Sequence, residues 1–205
     1  MSFIDTVSPQ DAEGQVLEMY EHQQKHWGYV PNYAKTFSHR PEVMARWGRL
    51  LAEIRRPLDD RTFELVTFAA AVEMRHTPCS LAHGSALTPF FTKEQIVAIA
   101  ENRDLEFLSD AEQEMVRFSR KLARDAASIE SDDVQRLKDF GLDDAAIFDV
   151  AVTSAGRAFF TKVLDALGSL PDAGFDRIDA DLRAPLTVGR PISTDPDEVM
   201  GGVSD

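Results

Sequence analysis

The sequence is short of several things, and each shortage narrows what the chain is. It holds one cysteine, Cys79, in 205 residues. An internal disulfide is therefore impossible, and a reducing compartment such as the cytoplasm is the expected setting. Positive charge is scarce: 22 Lys and Arg face 35 Asp and Glu, a formal net charge of −13. Nucleic acid and anionic membrane surfaces need a basic footprint, so neither is an expected partner. No apolar run is long enough to cross a bilayer. The first residues, MSFIDTVSPQ, lack the basic start and apolar stretch of a signal peptide. Alternating strand-like patterns are nearly absent as well.

What remains is helical. Hydrophobic residues make up 43% of the chain, enough to build a core. Ser8-Pro9-Gln10-Asp11 reads as the start of a helix running through Val16, Leu17 and Tyr20 to Gly28. The stretch YVPNYAKTFSHRP reads as irregular, and Pro41 opens the next helix. Asp59 or Asp60 caps another through Phe63, Leu65 and Val66. Thr92 with Gln95, and Ser109 with Glu112, form two capping boxes ahead of apolar periodic runs. A short helix from Ser131 ends at Gly141, and a long one from Asp143 is closed by Gly168. The expected fold is an all-α single domain, a helical bundle of seven or eight helices over residues 1–170. Residues 171–205 read as a polar tail, extended or partly disordered, or laid along a partner subunit.

Chemistry gathers in the segment HTPCSLAH, residues 76–83. With Thr77 as N-cap and Pro78 at the first helical position, Cys79 falls at the second. There the free N–H groups and the helix dipole lower a thiol's pKa. His83, one turn on, is placed to exchange protons with it, and His76 precedes it by three residues. Glu64 lies inside the apolar run TFELVTFAAAV, where a carboxylate is costly unless paired. It points inward, toward either His83 or a structural arginine such as Arg61. Glu73 reads as solvent-facing. His22, His26 and His39 read as surface residues. Phe90, Phe91, Phe159 and Phe160 read as core, and a small buried cysteine is itself often no more than core.

The arrangement Glu64, eleven residues, His76-x-x-Cys79-x-x-x-His83 resembles the E-x11-C-x-x-C-x-x-x-H signature of the carboxymuconolactone decarboxylase and alkylhydroperoxidase D superfamily. VPNYAKTFSHRPEVMARWGRLL is similar to that family's lead-in helix and RAFFTKVLDALG to its final helix. The resemblance covers most of residues 1–170. It implies an all-α fold, assembly into dimers, trimers or hexamers, and a catalytic set of Cys79, His83 and Glu64, with His76 standing where the redox branch has its first cysteine. Cys79 would be the peroxide-reactive thiol, His83 its proton partner, and Glu64 the residue that orients His83. With no second cysteine, an external thiol would have to reduce the sulfenic acid.

A cofactor-free decarboxylase-like reading is the alternative. There His83 or His76 works as acid or base on a small organic acid, and Arg61, Arg75, Arg157 or Lys162 meets the substrate carboxylate. A non-catalytic relic of the family is a further one. The 3, 3 and 4 spacing of Glu73, His76, Cys79 and His83 brings a metal site to mind, but Pro78 interrupts the shared face. No metal and no cofactor is expected.

Overall fold

A computed structural model describes residues 2–198. Ten α-helices run through them, and no β-strand occurs among the described residues. They are α1 (Gly14–Trp27), α2 (Asn32–Thr36), α3 (Pro41–Arg55), α4 (Asp60–Glu73), α5 (Thr77–Ala86), α6 (Lys93–Glu101), α7 (Asp110–Asp125), α8 (Ser131–Asp139), α9 (Asp144–Ala166) and α10 (Ala180–Leu186). The all-α single-domain bundle agrees with the sequence reading, and eight of these helices match the expected ones. The other two, α2 and α10, are helices of only five and seven residues beside or around a proline, too brief to leave a periodic signal.

The helix ends follow the local chemistry. Asp59, Thr92, Ser109 and Asp143 each accept a backbone N–H at the start of α4, α6, α7 and α9, and both capping boxes are closed. Ser8 behaves differently from its expected role. It caps only a 3-10 turn, Pro9–Asp11, and the chain extends again at Ala12 before α1 begins at Gly14.

α4 is the axis of the bundle. Every residue from Phe63 to Val72 is buried, Glu64 included, so the helix is wrapped on all sides. α5, α7 and α9 pack around it. One core cluster joins Leu65, Phe68 and Ala69 of α4 to Leu81, Ile96, Ile99 and Val116. A second gathers Ala71, Cys79, Trp47, Phe37, Phe160 and Leu164. Of the four phenylalanines expected in the core, Phe91 and Phe160 are buried, while Phe90 and Phe159 stand 37% and 43% exposed. Each exposed ring stands next to a buried one along the chain and points away from the core that its neighbour enters.

The tail from Pro171 runs back along the bundle. Leu182 and Leu186 are buried in the main core against α5 and α6. Over residues 171–198 the tail is thus packed on its own chain through its few large apolar residues, Phe175, Ile178, Leu182 and Leu186. Residues 199–205 lie outside the described residues. Beyond α10 the tail crosses the start of α5. The Gly189 N–H donates to Thr77 Oγ1 at 2.8 Å, and Arg75 Nε donates to the Val188 carbonyl at 3.1 Å. A Cβ at position 189 would lie 1.9 Å from the Arg75 carbonyl oxygen, a backbone atom with little freedom to retreat. Gly189→Ala is expected to push the tail off α5 and to cost about 2 kcal/mol. A lowered urea midpoint with an unchanged slope would register it; an unchanged midpoint would mean the strap contributes nothing.

Candidate functional site

The site is built where α4 ends and α5 begins. Arg75 takes a left-handed conformation, φ 56°, and turns the chain so that α5 starts back alongside α4. The N-cap of α5 is His76, one residue earlier than expected. Its Nδ1 accepts the Cys79 N–H at 3.3 Å. Thr77 is the first helical residue, and its hydroxyl accepts from Gly189 instead of capping the helix. Cys79 therefore sits at the third helical position, with its own N–H taken by the His76 ring.

The thiol is 5% exposed, and its side-chain partner is Arg157 of α9: Nη1 lies 3.4 Å from Sγ. Burial pushes the thiol pKa up, and the charge and hydrogen bond of Arg157 pull it down. Asp165 adds a push upward, and the net position is above the ordinary thiol value. The expected helix-terminus depression is overridden because the thiol is nearly out of water.

His83 lies one turn further along α5. Its Nδ1 meets Glu64 Oε2 at 2.5 Å, closing the pair that the sequence left open. Arg61, the alternative partner, instead pairs with Glu112. Glu64 Oε1 also lies 3.9 Å from Arg55 Nη1. Burial and the Arg157 charge lower the His83 pKa, against the upward pull of Glu64. At neutral pH the ring is then neutral. Nδ1–H donates to the carboxylate, which leaves the Nε2 lone pair as the free acceptor.

His76 is wholly buried. Burial, reinforced by Arg157, His83 and Arg190, drives its pKa down to about 3. Since Nδ1 accepts a hydrogen bond, the proton of the neutral ring is on Nε2, which has no partner.

The other sequence candidates lie elsewhere. Glu73 is not solvent-facing; it turns to Arg120 and Arg124 at 3.1 and 2.6 Å and leaves the His76, Cys79 and His83 neighbourhood. Among the described residues no three His, Cys, Asp or Glu side chains converge as a metal site. Arg75 reaches the tail, and Lys162 is exposed. His39 is exposed and bonded to the Asp5 carbonyl. Arg157 as the neighbour of the thiol was not foreseen. A signal was present, because it interrupts the apolar stretch TSAGRAFF of α9 as Glu64 interrupts α4.

No protein-family model matches the sequence, and no curated protein is significantly similar to it. Solved structures do share its fold. The alkylhydroperoxidase D core of a peroxidase-related protein from Ralstonia eutropha JMP134 superposes with a TM-score of 0.67 at 17% identity, over 92% of this chain and 98% of that one. A peroxidase-related protein from Silicibacter sp. TM1040 gives 0.60 at 18% identity, over 90% and 92%. The debrominase Bmp8, as a cysteine-to-alanine variant with 2,3,4-tribromopyrrole bound, gives 0.67 at 16% identity, over 89% and 95%.

Proposed function

Starting from the alkylhydroperoxidase D fold, we propose that the chain is a single-cysteine thiol peroxidase acting on small organic hydroperoxides. The observation that carries this reading is the buried constellation around its one cysteine. A guanidinium lies 3.4 Å from the sulfur, and a histidine bonded to a carboxylate lies one turn away.

Arg157 opposes the burial that raises the thiol pKa and stabilises the thiolate once formed. His83, neutral with its lone pair on Nε2, takes up the thiol proton, and Glu64 holds the ring in that tautomer. The thiolate attacks the terminal oxygen of ROOH. The S–O bond forms as O–O breaks, the electron pair leaves with RO⁻, and the proton held by His83 gives ROH. Cys79 is left as sulfenic acid. His76 occupies the place of a resolving cysteine, so an external thiol condenses with the sulfenic acid and releases water. A second external thiol then frees Cys79 and departs as a disulfide. Self-association belongs to the same reading, with Leu50, Phe148 and Phe159 among the exposed apolar side chains available to it.

A second reading keeps the thiol and changes the electrophile, and likeness to a debrominase favours it. The thiolate would take bromine from a ring carbon as a sulfenyl bromide, the carbon keeping the electron pair and accepting the proton. An external thiol would then displace bromide to give a mixed disulfide that a second thiol reduces. The decarboxylase-like alternative draws less support. His76 is buried and holds its Nδ1 in a hydrogen bond, which leaves His83 as the sole acid or base.

The test is a single turnover without reductant. Cumene hydroperoxide should be consumed one molecule per chain, with dimedone trapped on Cys79, and added dithiothreitol should make the reaction catalytic. Hydroperoxide left intact, with Cys79 unmodified, sinks the reading. Loss of bromide from a bromopyrrole under the same conditions would favour the second.

A further inference from the structure

Two buried donors flank Cys79 with hydrogen-bonding capacity left over. Arg157 is 6% exposed. It spends one N–H on the sulfur, and its Nε has no partner. No carboxylate pairs with it among the described residues; the Phe160 ring lies 5.7 Å away, and the guanidinium charge acts on the rings of His76 and His83. The other buried arginine, Arg120, shows how a structural one is held. Glu73 supplies its counter-charge, and the Ile99 and Ala100 carbonyls accept from it at 2.5 and 2.9 Å. A guanidinium removed from water without a counter-charge is costly unless an anion joins it. His76, whose Nδ1 accepts the Cys79 N–H, is wholly buried with an unpartnered Nε2–H. Cys79 touches both, by its N–H and by its sulfur.

We infer that Arg157 and His76 form an anion subsite beside the Cys79 sulfur, and that the substrate is a short electrophile carrying a carboxylate. The inference rests on Cys79 being the reacting thiol. Both side chains present only donors, and a guanidinium edge fits a carboxylate in a bidentate grip. The carboxylate and the reacting atom would be separated by a few bonds, because the same guanidinium touches both. Within the proposed peroxidase this favours short hydroperoxy acids over neutral alkyl hydroperoxides. Arg157 is then the residue that sets specificity.

Alkylation tests this without any turnover. Iodoacetate carries the carboxylate and iodoacetamide lacks it, so their rate ratio on Cys79, divided by the same ratio on glutathione, reads the subsite alone. A guanidinium that only stabilises the thiolate speeds both reagents equally. In the full-length protein the normalised ratio should exceed that of glutathione about tenfold. Arg157→Met should return it to the glutathione value, and His76→Asn should lower it in part. If Arg157→Met does not fold, the wild type still answers: propionate should protect Cys79 from iodoacetamide and propionamide should not. A ratio equal to that of glutathione, a ratio unmoved by Arg157→Met, equal protection by propionate and propionamide, or a thiol closed to both reagents each overturns the inference. The peroxidase reading fails separately: a carboxylate preference in labelling, with both cumene hydroperoxide and a short hydroperoxy acid left untouched, keeps the subsite and removes the peroxidase.

Discussion

Cys79→Ser is expected to abolish hydroperoxide consumption, and Glu64→Ala to slow it about a hundredfold. The serine variant removes the one thiol of the chain. Glu64 acts at one remove, as a positioning residue. Its carboxylate holds His83 Nδ1 at 2.5 Å and so aims the Nε2 lone pair. Alanine leaves a mostly buried Nδ1–H without an acceptor, a penalty of about 1–3 kcal/mol that also unfixes the tautomer. Two readouts separate positioning from mere loss of structure. Glu64→Gln keeps an acceptor at the same reach and should recover most of the lost rate. The pH profile should also move. Glu64 pulls the His83 pKa up while burial and Arg157 press it down. Without the carboxylate the ring stays neutral to lower pH, so the acidic limb shifts downward in both variants. An Ala variant with the wild-type rate and limb would remove Glu64 from the mechanism.

The parts of this site that lie within one local stretch of chain were legible in the sequence. Glu64 stood out as a carboxylate in an apolar helix, which called for a buried partner and left His83 and an arginine such as Arg61 as the two choices. The parts that depend on what crosses from afar were not. Arg157 reaches Cys79 from 78 residues away. Whether the thiol would be wet or dry depended on α9 and the second core cluster closing over it. Its helix position argued for a low pKa, and burial reversed the sign. The one-residue error at the N-cap has the same origin. Threonine is the better cap by local preference, but the Thr77 hydroxyl is engaged by Gly189 of the returning tail, and the His76 imidazole takes its place. Helices whose ends are set by their own side chains, such as α6 and α7, were read correctly, because nothing distant competes for those caps.

His76→Asn is expected to make the protein more resistant to acid than the wild type. Asparagine is a good N-cap and can still accept the Cys79 N–H. The histidine pKa is about 3 in the folded chain against an ordinary value of 6.5. The unfolded chain therefore binds the proton first. The stability that depends on a neutral His76 is fully present above pH 6.5 and is lost as pH falls toward 3. At about 1.4 kcal/mol per pH unit, the loss between pH 6.5 and 4.5 is about 3 kcal/mol. His83, also lowered, pulls in the same direction. Asp172 opposes both. Burial raises its pKa from 3.8 to about 6, so the folded state gains stability as pH falls through that interval. The wild-type profile is flattened accordingly. The difference between wild type and His76→Asn isolates His76, because the other two groups are common to both. Urea midpoints from pH 7 to 4.5 should diverge by that amount, and parallel profiles would mean that His76 is solvated. The cost explains what the buried ring does near neutral pH. A histidine that stays neutral keeps one proton on Nε2 and one lone pair on Nδ1 while the solvent titrates, so the cap on α5 and the donor beside Cys79 are both fixed over the range in which the thiol reacts.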